Sequence, residues 1–372
     1  MNQAKIVRVD PGQIKEDYIR EAAHILKSGG LVIIPTETVY GIAANMLNQK
    51  AVDRLYEIKK RPKDKPFSIH IAKKEKVEDF ARDVPVGAYK LMDKFWPGPL
   101  TLILKGIKEP TVGLRMPDNE IALRVITEAY DPIICPSANL SGEPAPVNFE
   151  QAIKDLNGLV DFAIDARETK LGLESSIVDL AKDGFDILRR GAIKKEAIEA
   201  VIAKKNILFV CTGNSCRSVM AEAVLKKIIK DKKRNDLEVS SAGIMMLAGI
   251  GVSQGTREVL AKEGIDISKH ISQKITKAMA RKSDLILVME KMHEDAILHL
   301  APEVKNRVFL LKEFANPVRN HGILNKEKGV SNGAKINDSH TDIADPIGRP
   351  LDFYEKTFVS IKEAVERVSN LI

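Results

Sequence analysis

Residues 206–230 read NILFVCTGNSCRSVMAEAVLKKIIK. An apolar run of β character ends at Val210, a loop of small and polar residues follows, and a helical segment begins near Ser218. A strand, a tight loop and a helix in that order aim successive backbone N–H groups into one concavity at a helix N-terminus, which is an anion cradle. Such units build α/β sheets with parallel strands, so this stretch sets the expected fold class. Cys211 opens the loop and Arg217 stands six positions on. The positive end of the helix and the guanidinium both favour a thiolate at Cys211, which makes it a nucleophile. Arg217 offers a planar fork for two phosphoryl oxygens, Ser218 can donate to the thiolate, and Asn214 tolerates a left-handed backbone. Taken alone, a Cys-x5-Arg spacing fits equally a buried cysteine at a strand end with an arginine exposed by chance. The flanking strand and helix weigh toward the cradle.

Outward from this loop the second half keeps alternating, with LEVSSAG, DLILVME and RVFLL read as strands between helical segments, the pattern of a doubly wound parallel sheet. The stretch 315–341 is polar, rich in Gly and Asn and aperiodic, and reads as a long surface loop. A chain of 372 residues exceeds what one core organises, and the composition changes character near Lys204 without a spacer, so two closely docked domains are expected, 1–203 and 204–372. In the first half GGLVIIPT, LTLILKG, IICPSA and SSIVDL read as strands and YIREAAHIL and AVDRLYEI as amphipathic helices, an open α/β sheet. Hydrophobic content of 44% with 29% charged residues is that of a water-soluble globular protein, and no apolar run reaches the ~18 residues of a membrane span. The first residues lack a secretory pattern and three cysteines are too few for a disulfide framework, so a reducing cytoplasm is the expected home. The net charge of +7 suits anionic substrates, although lysine runs such as 230–234 read better as solvated helix faces.

The first half has neither a Walker A loop nor GxGxxG. Three features stand in their place. IKKRPKDKPFSIH (58–70) is a basic, proline-interrupted loop that can aim Lys59, Arg61 and Lys65 at a polyanion. PSANLSG (136–142) ends a strand in hydroxyl and amide groups, and PTETVYG (35–41) brings Thr36, Thr38 and Tyr40 to the end of another, at the edge where α/β proteins bind ligands. Each alone reads as solvated lysines, a polar turn, or a tyrosine with a satisfied hydroxyl.

Two resemblances follow from these residues. With FWPGPLT (95–101), VGLRMPD (112–118), and LESSIVD followed by RRGAI, the first-half motifs fall in the order of the YrdC-like threonylcarbamoyl-AMP synthase family over about residues 10–200. The resemblance implies synthesis of L-threonylcarbamoyladenylate from L-threonine, bicarbonate and ATP with release of pyrophosphate. A separate transferase would then modify adenosine 37 of tRNA, with weak or no direct tRNA binding here. It implies that Lys59 and Arg61, with Ser137 and Asn139, hold triphosphate, Mg²⁺ and carbamate, with no metal ligand from protein side chains. It places Thr36 and Tyr40 at the threonine end and Arg115, Ser176 and Arg190 beside the adenylate. His70 either lines the threonine pocket or is a core-edge histidine. Longer members carry a different C-terminal domain. An RNA-binding module is the alternative from a different class.

The second half resembles the low-molecular-weight protein tyrosine phosphatases: Cys211, Thr212, Gly213, Asn214, Ser215, Cys216, Arg217 and Ser218 spell their loop, VSSAG (239–243) follows, and DPIGRP (345–350) supplies a late Asp-Pro. The resemblance implies attack by Cys211 on a phosphorylated protein, a phosphocysteine, proton transfer by Asp345, and no cofactor; an Asp-Pro turn is the plain alternative for Asp345. Ser215 stands where tyrosine-directed members carry an aliphatic residue, and Ile347, Gly348, Met245, Met246 and Leu247 stand where aromatic walls would stack a phenol. This leans toward phosphoarginine, with a tyrosine phosphatase or an arsenate-reductase-like relic as alternatives. Cys216 is either an inert thiol or a reversible disulfide partner of Cys211.

Overall fold

The computed structural model describes residues 3–10, 12–245, 251–316 and 341–372. Most of the 315–341 stretch, and Met246 and Leu247, lie outside the described residues. The chain forms two compact units, Met1–Ile202 and Ala203–Ile372.

In the first unit the strands are β1 (Lys5–Arg8), β2 (Val32–Ile34), β3 (Gly41–Asn45), β4 (Ile69–His70), β5 (Leu100–Lys105), β6 (Thr111–Arg115), β7 (Ile133–Ile134), β8 (Phe162–Asp165), β9 (Ser176–Asp179) and β10 (Asp186–Arg189). They form one mixed sheet in the order β1-β8-β2-β3-β7-β4-β6-β5-β9-β10. β1, β8 and β2 run parallel, as do β4 with β6 and β5 with β9, and the remaining neighbours are antiparallel. Its central strands are covered on both faces, which is why residues 31–34 read as a continuous apolar run: Leu31 and Ile33 enter one core, Val32 and Ile34 the other. Helix α1 (Glu16–Lys27) buries Ile19, Ala22, Ala23 and Leu26, a spacing of three and four that forms one stripe. That stripe packs with Ile121, Ala122, Val125, Ile126 and Ala129 of the helix Glu120–Ala129. Helix α2 (Gln49–Lys59) starts on Asn48, whose side chain accepts from the Ala51 N–H, and ends on Lys60 in the left-handed conformation with Pro62 two residues on. The expected basic loop therefore begins at residue 60 and not 58, and Lys59 belongs to the helix.

The second unit has four strands, β11 (Lys205–Cys211), β12 (Leu237–Gly243), β13 (Leu285–Val288) and β14 (Val308–Leu310), all parallel in the order β12-β11-β13-β14. RVFLL is a strand only to Leu310, and Leu311 already opens a short helix. Ile207, Phe209 and Cys211 face one core while Leu208 and Val210 face the other, so β11 is buried on both sides like any central strand of a doubly wound sheet. The chain leaves β11 toward β12 on one side and returns to β13 on the other. The carboxyl end of β11 is thus the point where strand order reverses, and a crevice opens there by topology. Cys211 is the last residue of β11.

Candidate active sites

In the first unit, strand ends and one helix end converge on a cavity of about 280 Å³. Lys59, at the C-terminus of α2, is buried, and its ammonium donates to Ser137 O at 2.9 Å, Asn139 O at 2.7 Å and Asn139 Oδ1 at 2.8 Å. Ser137 Oγ donates to the same Asn139 Oδ1 at 2.6 Å. Ser137 and Asn139, 78 and 80 residues from Lys59 in sequence, therefore form one cluster with it. Burial, and secondarily the nearby Arg61 cation, lower the Lys59 pKa to about 8 against a weaker opposing pull from Glu174. Arg61 lies on the exposed rim, where Nε donates to Lys65 O at 2.6 Å and the guanidinium sits 5.0 Å from the centre of the Phe67 ring. Lys65 is exposed and is not among the residues lining the cavity.

Thr36, Tyr40, Lys59, Arg61, His70, Arg115, Ser137 and Asn139 all line this cavity. Their hydrogen bonds sort them. Tyr40 OH donates to Arg167 O at 2.8 Å and accepts from Ala166 N at 3.0 Å, so its hydroxyl is tied to backbone and its pKa is raised by burial. Thr36 Oγ1 donates to Val39 O at 2.6 Å and holds the loop after β2. Arg115 Nη2 donates to Glu37 Oε1 at 2.8 Å and Thr38 Oγ1 at 2.7 Å, and Glu37 is its buried counter-ion. Two buried polar atoms here have no partner: Arg115 Nε and His70 Nδ1. Burial, with the Arg115 cation, lowers the His70 pKa to about 3, so the ring is neutral.

Ser176 and Arg190 stand apart from these residues. Ser176 is buried behind the cavity wall, its Oγ donating to Ile193 O and accepting from the N–H groups of Gly191 and Ile193. Arg190 is exposed and borders a neighbouring hollow. Strand alternation is the physical reason: adjacent residues of an extended chain point to opposite faces, so the partners one position away, Ser175 and Arg189, reach the cavity instead. Arg189 donates to Ser175 O at 2.8 Å, to Ser175 Oγ at 2.9 Å and to Glu174, and Ser175 Oγ lies 2.9 Å from Thr101 Oγ1. Gly191 permits this turn, because a Cβ there would sit 2.3 Å from Glu174 O. The period-2 rule applied to SSIVD and ILRR was the signal that could have found Ser175 and Arg189.

In the second unit the loop Thr212–Cys216 leads from β11 into the helix Arg217–Asp231. Asn214 has φ +52° and is buried, and it ties the loop in five directions. Its Nδ2 donates to Ser218 Oγ at 3.0 Å and Ser241 Oγ at 2.7 Å, its Oδ1 accepts from Gln273 N, and its carbonyl accepts from Ser272 Oγ and contacts His270 Nε2. Ser241 in turn donates to Glu222, so Ser218 receives Asn214's hydrogen and is left to donate its own to Cys211 Sγ, 3.0 Å away. Gly243, the glycine of VSSAG, lies beneath the loop, where a Cβ would come within 2.7 Å of Thr212 O. Cys211 and Cys216 are free and buried, and Cys216 Sγ is 3.1 Å from Ser253 Oγ.

Arg217 is fully buried. Nη1 donates to Glu290 Oε1 at 2.5 Å and Ile343 O at 2.7 Å, and Nη2 donates to Asp345 Oδ2 at 2.5 Å and Thr212 Oγ1 at 3.1 Å. Its Nε has no partner. Asp345 thus meets the phosphate loop as a counter-ion of Arg217, and the residues after it, Ile347 and Gly348 with φ +72°, form an exposed lip. Glu290 and His293 were not singled out from sequence. Their signal was position: they follow β13, at the same carboxyl edge of the parallel sheet. Among the described residues no group of three or more His, Cys, Asp or Glu could hold a metal ion, and no helix is long and apolar enough to cross a membrane.

The two units define two classes of site, a cationic cavity on a mixed α/β sheet and a cysteine-arginine phosphate loop at a switch point. Residues 24–191 match the Sua5/yciO/yrdC family model, described as telomere recombination, and residues 206–326 match the low molecular weight phosphotyrosine protein phosphatase model. The chain is 42% identical over 218 residues to the threonylcarbamoyl-AMP synthase of Pyrococcus abyssi, covering 56% of this chain and 64% of that relative. Two solved structures of Pyrococcus abyssi Sua5 are similar, each with a TM-score of 0.51. One, a double variant, is 36% identical and covers 61% of this chain and 76% of that one; the other, complexed with L-threonine, is 28% identical and covers 82% and 99%. To the "Probable low molecular weight protein-tyrosine-phosphatase AmsI" of Erwinia amylovora the chain is 30% identical over 168 residues, covering 45% of this chain and 96% of that relative. The chain belongs to both families, as a Sua5/YrdC domain followed by a low-molecular-weight phosphatase domain.

Proposed function

We propose that the chain is a bifunctional enzyme. The first unit joins L-threonine, bicarbonate and ATP into L-threonylcarbamoyladenylate, pyrophosphate and water, for a separate transferase that modifies tRNA. The observation that carries this reading is the meeting of Lys59, Arg61 and Arg189 in one cavity with two unpartnered buried atoms, Arg115 Nε and His70 Nδ1. Buried polar atoms without partners are costly unless a ligand supplies them. The complex of the similar Pyrococcus abyssi Sua5 with L-threonine supports threonine as one such ligand. Carbamate is a weak nucleophile, so its attack on the α-phosphate needs cations on the phosphates as pyrophosphate leaves. Lys59 and Arg61 serve that need, and Mg²⁺ would arrive on the triphosphate. Threonine- and bicarbonate-dependent release of pyrophosphate from ATP is the test. A chain that binds RNA yet releases no pyrophosphate would replace this reading with the RNA-binding module.

The second unit hydrolyses a protein phosphoester or phosphoramidate. The carrying observation is the buried Arg217 with an open Nε in the loop that Cys211 begins. Cys211 sulfur bonds phosphorus as the bond to the leaving group breaks, and Asp345 gives that group its proton. The Asp345 carboxylate then takes a proton from water as water attacks phosphorus and releases Cys211. Asp345 must leave Arg217 for an anion to take its place, which couples substrate entry to release of the acid. The exposed Met245 and Ile347 give an aliphatic rim, and with Ser215 they favour a phosphoarginine over a phosphotyrosine. Matched peptides decide: phosphate release from the arginine form above the tyrosine form, shifted by Ser215→Ile and absent in Cys211→Ser, is expected. Preference for phosphotyrosine would make it a tyrosine phosphatase.

A further inference from the structure

His293 lies on the helix Lys291–Leu300 that follows β13, outside the phosphate loop, and is completely buried. Its Nδ1 accepts the backbone N–H of Glu290 at 3.0 Å. That contact leaves Nδ1 without a hydrogen and puts the hydrogen of the neutral ring on Nε2. Nε2 is 2.9 Å from Thr212 Oγ1, so the ring donates to the hydroxyl. Arg217 Nη2 donates to the same oxygen at 3.1 Å. A threonine hydroxyl has two lone pairs and one hydrogen. Both lone pairs are occupied, and among the described residues nothing accepts the Thr212 hydrogen. Burial, with the Arg217 cation and against the Asp345 carboxylate, lowers the His293 pKa to about 4, consistent with one fixed tautomer at neutral pH. Glu290 closes the circuit, since its carboxylate accepts from Arg217 Nη1 at 2.5 Å.

We propose that His293 is a positioning residue of the phosphate site: by donating to Thr212 it holds that hydroxyl as an acceptor for Arg217 and reserves its hydrogen for an oxygen of the bound anion. The loop then grips an oxyanion with a side-chain hydroxyl in addition to backbone N–H groups and the guanidinium. The proposal rests on the reading of the second unit as a phosphatase, but its test does not require turnover.

The measurement is protection of Cys211 from iodoacetamide by inorganic phosphate, read on the Cys211 peptide by mass spectrometry in the full-length chain. His293→Asn keeps an acceptor near the Glu290 N–H but is too short to reach Thr212. It is expected to raise the phosphate concentration for half-protection about tenfold or more, the size of one hydrogen bond to a charged group. His293→Gln, whose amide reaches as far as Nε2, is expected to recover most of that loss. Thr212→Val should match His293→Asn, Thr212→Ser should retain protection, and the Thr212→Val/His293→Asn double variant should be no weaker than either single one. Protection unchanged in His293→Asn overturns the proposal, as does a double variant in which the two losses multiply. Equal losses in the Gln and Asn variants would also overturn it, since a side chain that reaches Thr212 would then gain nothing by doing so. Should the His293 variants not fold, the Thr212 pair, which leaves the helix start untouched, decides it. Turnover of p-nitrophenyl phosphate by the wild-type chain is followed in parallel: phosphate protection without turnover sinks the phosphatase reading while leaving the His293 question answered by the protection series.

Discussion

Replacing Lys59 with methionine separates what the lysine does for folding from what it does for chemistry. Three acceptors, Ser137 O, Asn139 O and Asn139 Oδ1, lose their donor. Each buried acceptor left bare costs about 1–3 kcal/mol, at the lower end where water from the cavity can replace the ammonium. Against this, a lysine whose pKa falls from 10.5 to about 8 carries a penalty of roughly 3 kcal/mol in its charged form, since each unit is about 1.4 kcal/mol. The two nearly offset, so the first unit should lose about 1–2 kcal/mol at pH 7. Catalysis has no such compensation: a cation about 4 Å from a phosphate at an effective dielectric near 20 contributes about 4 kcal/mol, two to three orders of magnitude in rate. Urea unfolding and ATP-dependent pyrophosphate release are the paired assays. The folded pKa lies below the unfolded one, so the unfolded chain holds the extra proton between pH 8 and 10.5. Wild-type stability relative to the variant should therefore rise by about 3 kcal/mol across that window. Pyrophosphate release near the wild-type rate, or a stability difference flat from pH 7 to 10.5, would refute the reasoning.

Three further outcomes are expected. Ser176→Ala removes three buried hydrogen bonds behind the cavity and should lower the stability of the first unit by about 1–3 kcal/mol with little change in KM for ATP, whereas Arg189→Ala should abolish pyrophosphate release in a folded chain. Asn214→Ala loses both amide donors and keeps a left-handed φ without the side chain that favours it. It should destabilise the second unit by about 2–4 kcal/mol in urea and slow Cys211 alkylation, since Ser218 is no longer held to donate to sulfur. His70 and His293 are buried neutral with pKa values of about 3 and about 4, below the unfolded value near 6.5, so their contribution is present above pH 6.5 and is lost as pH falls through that window. By pH 5 each unit should lose about 2 kcal/mol from its histidine, and the pH dependence of the second unit's stability in urea should flatten in His293→Gln.

The loop at 211–218 was legible because its geometry is local. A strand end, a left-handed asparagine and a helix start lie within eight residues, and backbone sterics with the helix dipole dictate what they build. The grouping of Thr36, Lys59, Arg115, Ser137 and Asn139 around one cavity was legible only through the motifs, since they come from the ends of three separate strands and a helix that meet by sheet order. Ser176 and Arg190 show the limit of that reading: side chains alternate along an extended chain, and one residue of register decides which of two neighbours faces the cavity.

By itself the sequence determined the two α/β units, the doubly wound sheet of the second, and the loop that joins Cys211 to Arg217, because hydrophobic periodicity and short loops are set by residues a few positions apart. Tertiary structure alone decided which charges meet. Arg217 finds Glu290 and Asp345, 73 and 128 residues away, Arg115 finds Glu37, and His293 finds Thr212. Those pairings depend on which strands are neighbours and on burial strong enough to make an unpaired donor costly, and neither quantity is carried by any short stretch of chain.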